Sequence, residues 1–288
     1  MFDERAYVER FESADIEEAA RMLARPTAEE ERALRAYLGD ERYRRMHGHA
    51  LRRAVRRAKA TAGNVVVIPG VMGSHLNSVD PEGESERVWL KILGLFLGRL
   101  ERLRLGADGL AGHDPDYDVL ATGILKKYYG DALLSLSESW TVRAFWFDWR
   151  KDLNLAAAEL NARLGGWFGS DAPVHIVAHS MGGLVARTFI KNHSKRWEKM
   201  WDEKGDGKAG GRLVMLGTPN HGSFAMPQAI TGAASLVKWL ARIDLTNDRD
   251  ELLRIFNSFV GPYQMLPSPL KLRNVGPLYK SKTYAGLN

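Results

Sequence analysis

The eleven residues from Val174 to Leu184, VHIVAHSMGGL, constrain the fold more than any other part of this chain. A β-branched apolar run leads into Ala178-His179-Ser180-Met181-Gly182, after which a helical pattern begins. This order predicts the sharp strand-to-helix turn of a G-x-S-x-G nucleophile elbow, with Ala in the first Gly position. Such a turn presents its serine hydroxyl, here that of Ser180, at the carboxyl end of the strand. An accidental strand–helix turn is the alternative.

A second apolar run ends in a glycine-rich loop. Residues 64–70 read as a buried strand that stops at a Pro-Gly pair, and Val71-Met72-Gly73-Ser74 follows. In hydrolases with an elbow, such a loop donates one backbone N–H to the oxyanion, and the residue after the nucleophile donates the other. We therefore expect the oxyanion-hole amides at Met72 and Met181. An ordinary strand-to-loop exit is the alternative for the loop.

The alternation of strand and helix patterns predicts the architecture. Apolar runs predict buried strands at residues 65–68, 142–147, 174–178, 213–217 and 283–285. Strands that alternate with helices imply an α/β fold with a parallel, doubly wound sheet, whose site lies at the carboxyl ends of the strands. Residues 1–60 form a predicted helical, Arg-rich segment ahead of this sheet. Within it, Thr27 and Glu30 predict a capping box for a helix that runs through Leu38 and ends at Gly39.

Spacing and composition predict the structure of three segments on either side of the fourth predicted strand, residues 213–217. Residues 224–242 predict a helix that either packs in the core or walls an acyl-chain pocket, and we slightly favour the core. LTNDRDELLRIF, residues 245–256, predicts the capped start of an amphipathic helix, which argues against Asp244, Asp248 or Asp250 as a catalytic acid. GDGKAGG, residues 205–211, predicts a surface loop without the acidic spacing of a calcium-binding EF-hand.

Four motifs together resemble a known family. PGVMGSHL at 69–76, FDWR at 147–150, AHSMGG at 178–183 and LGTPNHGS at 216–223 resemble those of the lecithin:cholesterol acyltransferase-like α/β-hydrolases. This family contains lipases, phospholipases and acyltransferases. The resemblance runs from about residue 64 to the end and implies an α/β-hydrolase domain over residues 61–288. It also implies a cap or lid insertion within residues 74–140, with an extra packed helix as the alternative.

The resemblance also indicates where a substrate would lie. The expected nucleophile is Ser180, and Val71, Gly73, His179 and His221 are expected to line the substrate site. In the FDWR motif, Asp148 and Arg150 are expected to form a structural ion pair that braces the loops and not to carry out chemistry.

The sequence leaves the catalytic triad incomplete. A serine needs a histidine that accepts its proton and an acid that orients this histidine. After Ser180 the chain has two histidines, His193 and His221. His193 is expected in the helix after the elbow, facing away from the site, and the resemblance places His221 at the border of the pocket without a role as base.

In the family, the acid and the base follow the next strand, which is residues 283–286 here. We therefore expect the triad acid and base beyond Asn288, so that this chain is part of a longer hydrolase with negligible turnover alone. A pseudo-enzyme and a triad rewired through His221 are the alternatives.

Composition excludes several other classes. The chain of 288 residues is 45% hydrophobic and contains no cysteine, so a thiolate nucleophile, a disulfide framework and a cysteine-based metal site are excluded. Its amino terminus lacks the apolar core of a signal peptide, and no apolar run is long enough for a bilayer, which predicts a cytoplasmic protein. The expected acyl-transfer chemistry needs no metal or organic cofactor.

The net charge of +6 is concentrated in one segment. Residues 41–59 carry eight Lys and Arg against one acid. This run predicts a solvated helix face, with transient contact to an anionic membrane surface as the alternative. No nucleic acid partner is expected, since the run lacks interleaved aromatic residues.

These observations predict a serine hydrolase or acyltransferase that acts on lipid-like or other carboxylic esters through an acyl-enzyme on Ser180. A non-catalytic binding or scaffold domain of the same fold is one alternative. A peptidase or small-molecule esterase is the other, because pocket walls decide the substrate more than the elbow does.

Overall fold

The computed structural model describes residues 2–56, 62–89, 99–201, 210–234, 248–270, 272–280 and 282. Its strands are β1 (Asn64–Ile68), β2 (Ser74–Val79), β3 (Ser85–Arg87), β4 (Asp118–Ile124), β5 (Thr141–Ala144), β6 (Val174–His179) and β7 (Leu213–Leu216). Its α-helices are α1 (Glu4–Ser13), α2 (Ile16–Ala24), α3 (Ala28–Leu38), α4 (Asp40–Arg56), α5 (Lys126–Ser137), α6 (Leu153–Phe168), α7 (Met181–Asn192), α8 (Ser194–Trp201), α9 (Ala225–Ile230), α10 (Arg249–Asn257) and α11 (Val260–Tyr263). Short 3-10 helices cover Arg99–Leu103 and Gly276–Tyr279.

The first four helices pack around an apolar cluster of their own. Phe11, Leu23 and Leu34 are fully buried in it, and Leu134 of α5 joins the same cluster. The capping box of α3 is confirmed, because the Thr27 hydroxyl accepts the Glu30 N–H and the Glu30 carboxylate accepts the Thr27 N–H. These helices therefore have a core that continues into the rest of the protein through α5.

A four-stranded parallel sheet forms the centre of the protein. Its strand order is β5-β1-β6-β7, and β6 pairs with β1 on one side and with β7 on the other. Helices flank the sheet, so the predicted parallel α/β architecture is confirmed. Since all four strands run in the same direction, their carboxyl ends at Ile68, Ala144, His179 and Leu216 meet at one edge.

The strand predicted over residues 142–147 is shorter in the structure. β5 ends at Ala144, although the Phe145 N–H still bonds to the Val67 carbonyl at 2.9 Å. Beyond that point the Phe147 N–H donates to the Ser74 hydroxyl at 3.1 Å, and the Phe145 and Phe147 rings are both buried. The aromatic run therefore leaves the sheet because its rings pack in the core.

The predicted strand at 213–217 is present as β7, but the prediction that it is buried is wrong. Val214, Met215 and Leu216 are 47%, 39% and 50% exposed. Within the described ranges, β7 pairs with β6 alone and forms an edge of the sheet. An apolar strand is buried only where neighbours cover it, and here none of the described elements does so. The strand predicted at 283–285 lies outside the described residues.

The region after β7 also differs from its prediction. In place of one helix over residues 224–242, α9 ends at Ile230, and Gly232 follows with a φ of 71°. The Thr231 hydroxyl donates to the Pro227 carbonyl at 2.8 Å and closes this end of the helix. Residues 235–242 lie outside the described ranges. The capped helix predicted after them is confirmed as α10, with Asp248 and Glu251 forming its capping box.

A three-stranded antiparallel ribbon lies within residues 74–140, where a cap is predicted. β2 lies between β3 and β4 in this ribbon, and α5 follows β4 directly. β2 starts where the loop after β1 ends, so the ribbon adjoins that loop. The assignment of this region as a cap stays a prediction.

Several arginines of α4 bind carboxylates of neighbouring segments. Arg45 Nε lies 2.8 Å from Asp131 Oδ2, and Arg52 Nε lies 2.9 Å from Glu138 Oε1. Arg53 pairs with Glu17 of α2. These pairs fasten α4 to the fold. Contact of residues 41–59 with an anionic membrane stays a prediction, and residues 57–59 lie outside the described ranges.

Across the described ranges, no helix has both the length and the apolar character needed to cross a bilayer.

Candidate active site

Ser180 occupies a strained turn between β6 and α7. Its φ of 51° and ψ of −122° lie in a region that side-chain-bearing residues rarely adopt. Its N–H donates to the Leu216 carbonyl of β7 at 2.8 Å, which holds the turn against the neighbouring strand. The residue is half-buried, and its Oγ makes no hydrogen bond with any described residue. The turn therefore presents a free alcohol at the carboxyl edge of the sheet.

The small residues around Ser180 are required by close packing against β1. Ala178 is fully buried in the sheet. A Cβ on Gly182 would lie against the Pro69 carbonyl oxygen and 2.8 Å from the Ile68 carbonyl oxygen. Only glycine fits there, since backbone atoms cannot move aside as a side chain can. The prediction of a tight strand-to-helix turn agrees with this geometry.

The loop after β1 lies directly against the serine. A Cβ on Gly70 would be 2.9 Å from Ser180 Cβ and 3.4 Å from Ser180 Oγ. The Gly73 N–H bonds to the Gly70 carbonyl at 3.1 Å, and Met72 between them has a φ of 61°. The Trp89 indole N–H donates to the Met72 carbonyl at 3.1 Å. The two segments that the sequence singles out are thus brought together.

Two backbone amides, one in the loop after β1 and one directly after Ser180, are left available. No hydrogen bond among the described residues uses the Met72 N–H. Met181 is the first residue of α7, and the first amides of a helix have no partner within it. These are the two amides predicted to bind an oxyanion, and their role stays a prediction.

The other predicted site residues are spread around this turn. Val71 is half-buried and Gly73 is buried, both in the loop after β1. His179 is exposed, and its Nδ1 lies 2.9 Å from the Tyr129 hydroxyl. His221 is exposed in the turn after β7, where its carbonyl accepts the Ser268 N–H at 2.8 Å. None of these side chains hydrogen-bonds to Ser180 in the described structure.

His193 lies at the far end of the helix that follows the elbow. It is the C-cap of α7 and stacks on Phe189, with ring centroids 5.8 Å apart. A helix of this length places it roughly 18 Å along the axis from Ser180. His193 is therefore too distant to act as a base there.

Asp148 and Arg150 form the structural ion pair that was expected. Arg150 is 1% exposed, and its guanidinium binds both carboxylate oxygens of Asp148 at 2.9 and 2.6 Å. The same guanidinium donates to the Leu103 carbonyl at 2.6 Å, and the Arg150 carbonyl accepts the Gly261 N–H at 2.9 Å. The pair ties the 3-10 helix at Arg99–Leu103 and α11 to the end of the aromatic run.

No sequence pattern indicated Tyr129 or Glu12. Tyr129 in α5 reaches the loop after β1 and the elbow, since its hydroxyl accepts the Gly70 N–H at 2.9 Å. Glu12 of α1 is 1% exposed, and its carboxylate accepts the Lys126 and Lys127 N–H groups at 2.7 and 2.8 Å. Both sets of contacts join residues that are far apart in the chain, so no local pattern could have revealed them.

Glu12 lies in a buried cluster of ionisable groups. Burial raises the pKa of its carboxyl, but hydrogen bonds and charges from His75, Lys126 and Tyr37 bring it below its ordinary value. His75 Nε2 lies 2.9 Å from Glu12 Oε2, and burial lowers the pKa of His75. Its Nδ1 has no partner, as a neutral ring allows. Burial also lowers the pKa of Lys126 to about 8.

Metal ligands do not gather in the described part of the chain. Its histidines and carboxylates include no group of three that could hold a metal ion.

Comparison with known proteins gives weak similarity of the kind that the motifs indicate. No model of a known protein family matches the chain. It is 26% identical over 171 residues to lecithin-cholesterol acyltransferase-like 4 of Arabidopsis thaliana, and the match covers 47% of this chain and 31% of that protein. It is 25% identical over 147 residues to an uncharacterized protein of Saccharomyces cerevisiae, covering 45% and 21%. The chain thus spans less than a third of the length of these relatives, and the first of them carries an acyltransferase-like name.

Proposed function

We propose that this chain carries the nucleophile of a serine hydrolase or acyltransferase of the α/β-hydrolase type. Its substrates are carboxylic esters. Ser180 Oγ takes the acyl group, the ester C–O bond breaks, and the alcohol leaves with the proton that the serine gives up. Water or an acceptor alcohol then takes the acyl group and restores the serine. The observation that carries this proposal is the alcohol of Ser180, which is held in a strained turn. It packs against the loop after β1, residues 69–73, which we call the Gly70 loop. Strain of this kind in a residue other than glycine is concentrated at functional sites.

The amides of Met72 and Met181 are the proposed donors to the oxyanion. When the Ser180 oxygen attacks the ester carbonyl, negative charge develops on the carbonyl oxygen. Preorganised N–H groups stabilise that charge because they need no reorganisation, and each such donor contributes about 3 kcal/mol in comparable sites. The free Met72 N–H and the first amide of α7 are available for this role.

Lipid-like esters are the proposed substrates because apolar side chains are exposed on the strand that binds the Ser180 N–H and in the segment that follows this strand. Leu216, whose carbonyl binds the Ser180 N–H, is 50% exposed, and Phe224 in the following turn is 61% exposed. Apolar side chains that border a site favour apolar ligands. The acyltransferase-like name of the Arabidopsis relative points the same way.

A complete reaction also needs a base. Ser180 Oγ forms no hydrogen bond with a histidine among the described residues. We therefore propose that the 288 residues alone turn over esters negligibly, and that a histidine and an acid from elsewhere complete the triad. Loss of the base lowers turnover of a serine hydrolase by about 10⁴- to 10⁶-fold.

The test compares two preparations in the hydrolysis of p-nitrophenyl esters of increasing chain length. One is the 288-residue chain, and the other is the product of the whole reading frame in which it occurs. We expect negligible hydrolysis by the first and hydrolysis by the second that Ser180→Ala abolishes. Hydrolysis that survives Ser180→Ala would refute the nucleophile. Hydrolysis by the 288-residue chain that Ser180→Ala abolishes would refute the need for an external base.

A non-catalytic binding domain is the second candidate, favoured by the absence of a described base at Ser180. It predicts that an ester analogue binds the whole product with the same affinity in wild type and Ser180→Ala, without any turnover.

A further inference from the structure

The hydroxyl of Tyr129 lies at the junction between the Gly70 loop and the elbow. It accepts the Gly70 N–H at 2.9 Å, and it lies 2.9 Å from Nδ1 of His179, the residue before the proposed nucleophile. A Cβ on Gly73 would be only 2.9 Å from the same oxygen. One oxygen atom therefore contacts both ends of the loop and the elbow.

The hydrogens that Gly70, Tyr129 and His179 carry assign the donor and the acceptor in each of these hydrogen bonds. Burial raises the pKa of Tyr129, while the Gly70 N–H partly offsets this, so the phenol keeps its proton at neutral pH. Gly70 donates its own hydrogen, so the phenolic hydrogen still needs an acceptor, and the described contacts of the hydroxyl offer His179 Nδ1. We therefore assign the neutral ring of His179 the tautomer in which Nδ1 accepts this hydrogen and Nε2 carries the ring proton.

The Gly70 amide is consumed by this arrangement. With its N–H turned toward Tyr129, Gly70 cannot donate to a substrate. The following turn, closed by the Gly73 N–H to the Gly70 carbonyl, holds Met72 at its positive φ. The contact with Tyr129 thus occupies the Gly70 amide, while the Met72 amide of the same loop stays free.

Tyr129 is itself fixed by the first turn of α5. Its N–H donates to the Leu125 carbonyl at 3.0 Å, and the Leu125 N–H donates to the Gly73 carbonyl at 3.0 Å. Glu12 of α1 accepts the two amides that open the helix. The N-terminal helices therefore support the tyrosine from one side and the loop binds it on the other.

We propose that Tyr129 is a positioning residue for the reaction at Ser180, which orients the Gly70 loop and fixes the ring of His179. This inference rests on the proposed function for its effect on the reaction. Its effect on Gly70 and His179 is independent of that function and can be measured in the 288-residue chain.

The experiment uses Tyr129→Phe, which removes only the hydroxyl. Two measurements by nuclear magnetic resonance are made: hydrogen exchange of the Gly70 amide, and the ¹⁵N shifts of His179 at a pH where its ring is neutral. We expect Gly70 to exchange at least about 10-fold faster, because it loses its acceptor. We also expect His179 to change from one tautomer to a mixture of two.

Tyr128→Phe is the matched control. Tyr128 is the preceding residue of the same helix, is 61% exposed, and has an arginine, Arg42, over its ring at 5.8 Å. Its hydroxyl makes no hydrogen bond with a described residue, so both measurements should match wild type. If Tyr129→Phe does not fold, His179→Ala at the exposed partner is measured instead. It should leave Gly70 protected while the Tyr129 hydroxyl proton exchanges faster.

The preparation that shows Ser180-dependent hydrolysis supplies the third measurement. Tyr129→Phe should lower kcat about 10- to 100-fold with KM changed less than about twofold, as expected when reacting groups are misplaced without loss of binding. Unchanged Gly70 exchange and His179 tautomer would overturn the proposal, and so would an unchanged kcat. If no preparation shows Ser180-dependent hydrolysis, the proposed function fails, and the two resonance measurements alone decide the positioning role.

Discussion

The two neighbours of β6 differ sharply in how well they are covered. On one side, Val65, Val66, Val67 and Ile68 of β1 are at most 3% exposed. On the other side, three residues of β7 are 39–50% exposed. Both strands are apolar and both pair with β6 in the same direction. The difference therefore comes from what packs on them and not from their own composition.

This asymmetry shows where the geometry of Ser180 originates. The Ile68 and Pro69 carbonyls, the Gly70 loop and Tyr129 all belong to the covered side. β7 contributes one hydrogen bond, from the Ser180 N–H to the Leu216 carbonyl. Most of the described contacts around the Ser180 turn thus come from the covered side, while β7 adds one hydrogen bond and an open apolar surface.

The largest effect is expected at Glu12, which anchors the covered side. Its carboxylate accepts from Tyr37, His75, Lys126 and Lys127, so Glu12→Gln would place an amide N–H₂ against donors. We expect the free energy of unfolding in urea to fall by about 3–5 kcal/mol, as when a buried charge loses its partners.

Asn220 provides the control on the open side. It is exposed, and its side chain accepts one hydrogen bond from Arg187 at 3.0 Å. Asn220→Ala should change stability by less than about 0.5 kcal/mol. If Glu12→Gln and Asn220→Ala lowered the free energy of unfolding by similar amounts, the covered side would not be anchored more strongly than the side of β7.

A matched pair of valines tests the comparison directly. Val66 of β1 is fully buried and Val214 of β7 is 47% exposed, and each lies within a parallel strand paired with β6. Truncation to Ala should cost about 2 kcal/mol at Val66 and less than about 0.5 kcal/mol at Val214. A cost at Val214 near that at Val66 would mean that β7 is covered in solution.

The smallest effect is a pH dependence that comes from Lys126. Its pKa is about 8 in the folded protein and 10.5 in an exposed chain, so the unfolded state binds more protons between these values. Stability therefore rises with pH across this window, by about 2 kcal/mol between pH 8 and 10 at most. Well below pH 8 both states are protonated and this contribution is constant.

Comparison with Lys126→Met isolates this contribution, because Glu12 and His75, whose pKa values depend on the charge of Lys126, both have lowered pKa values and titrate below this window. The difference in unfolding free energy between wild type and variant should grow in favour of wild type from pH 8 to pH 10. Parallel curves would show that the Lys126 ammonium is not buried.

Much of the fold follows from local patterns in the sequence. The capping boxes at Thr27 and Asp248, the turn at Ser180 and the pair of Asp148 with Arg150 each depend on residues a few positions apart. The spacing of apolar residues, together with capping and turn residues, is sufficient to predict such features. The parallel sheet follows from the alternation of strands and helices.

Other features depend on distant partners, and patterns fail there. The Glu12 carboxylate binds amides 114 and 115 positions away, and Tyr129 contacts His179 50 positions away. The exposure of β7 depends on elements beyond the strand itself. Residues 145–147 have the alternating pattern of a strand. That pattern does not show whether Phe145 and Phe147 lie in a strand of the sheet or pack in the core beyond its end.

The contacts of Glu12 have a practical consequence for any attempt to trim the protein. The first helix could be mistaken for a dispensable extension, since the resemblance to the α/β-hydrolases begins only near residue 64. Yet cutting it away would strip the opening amides of α5 of their anion and leave His75 without its acceptor. A shortened version would therefore be expected to lose order at the loop beside Ser180, far from the cut.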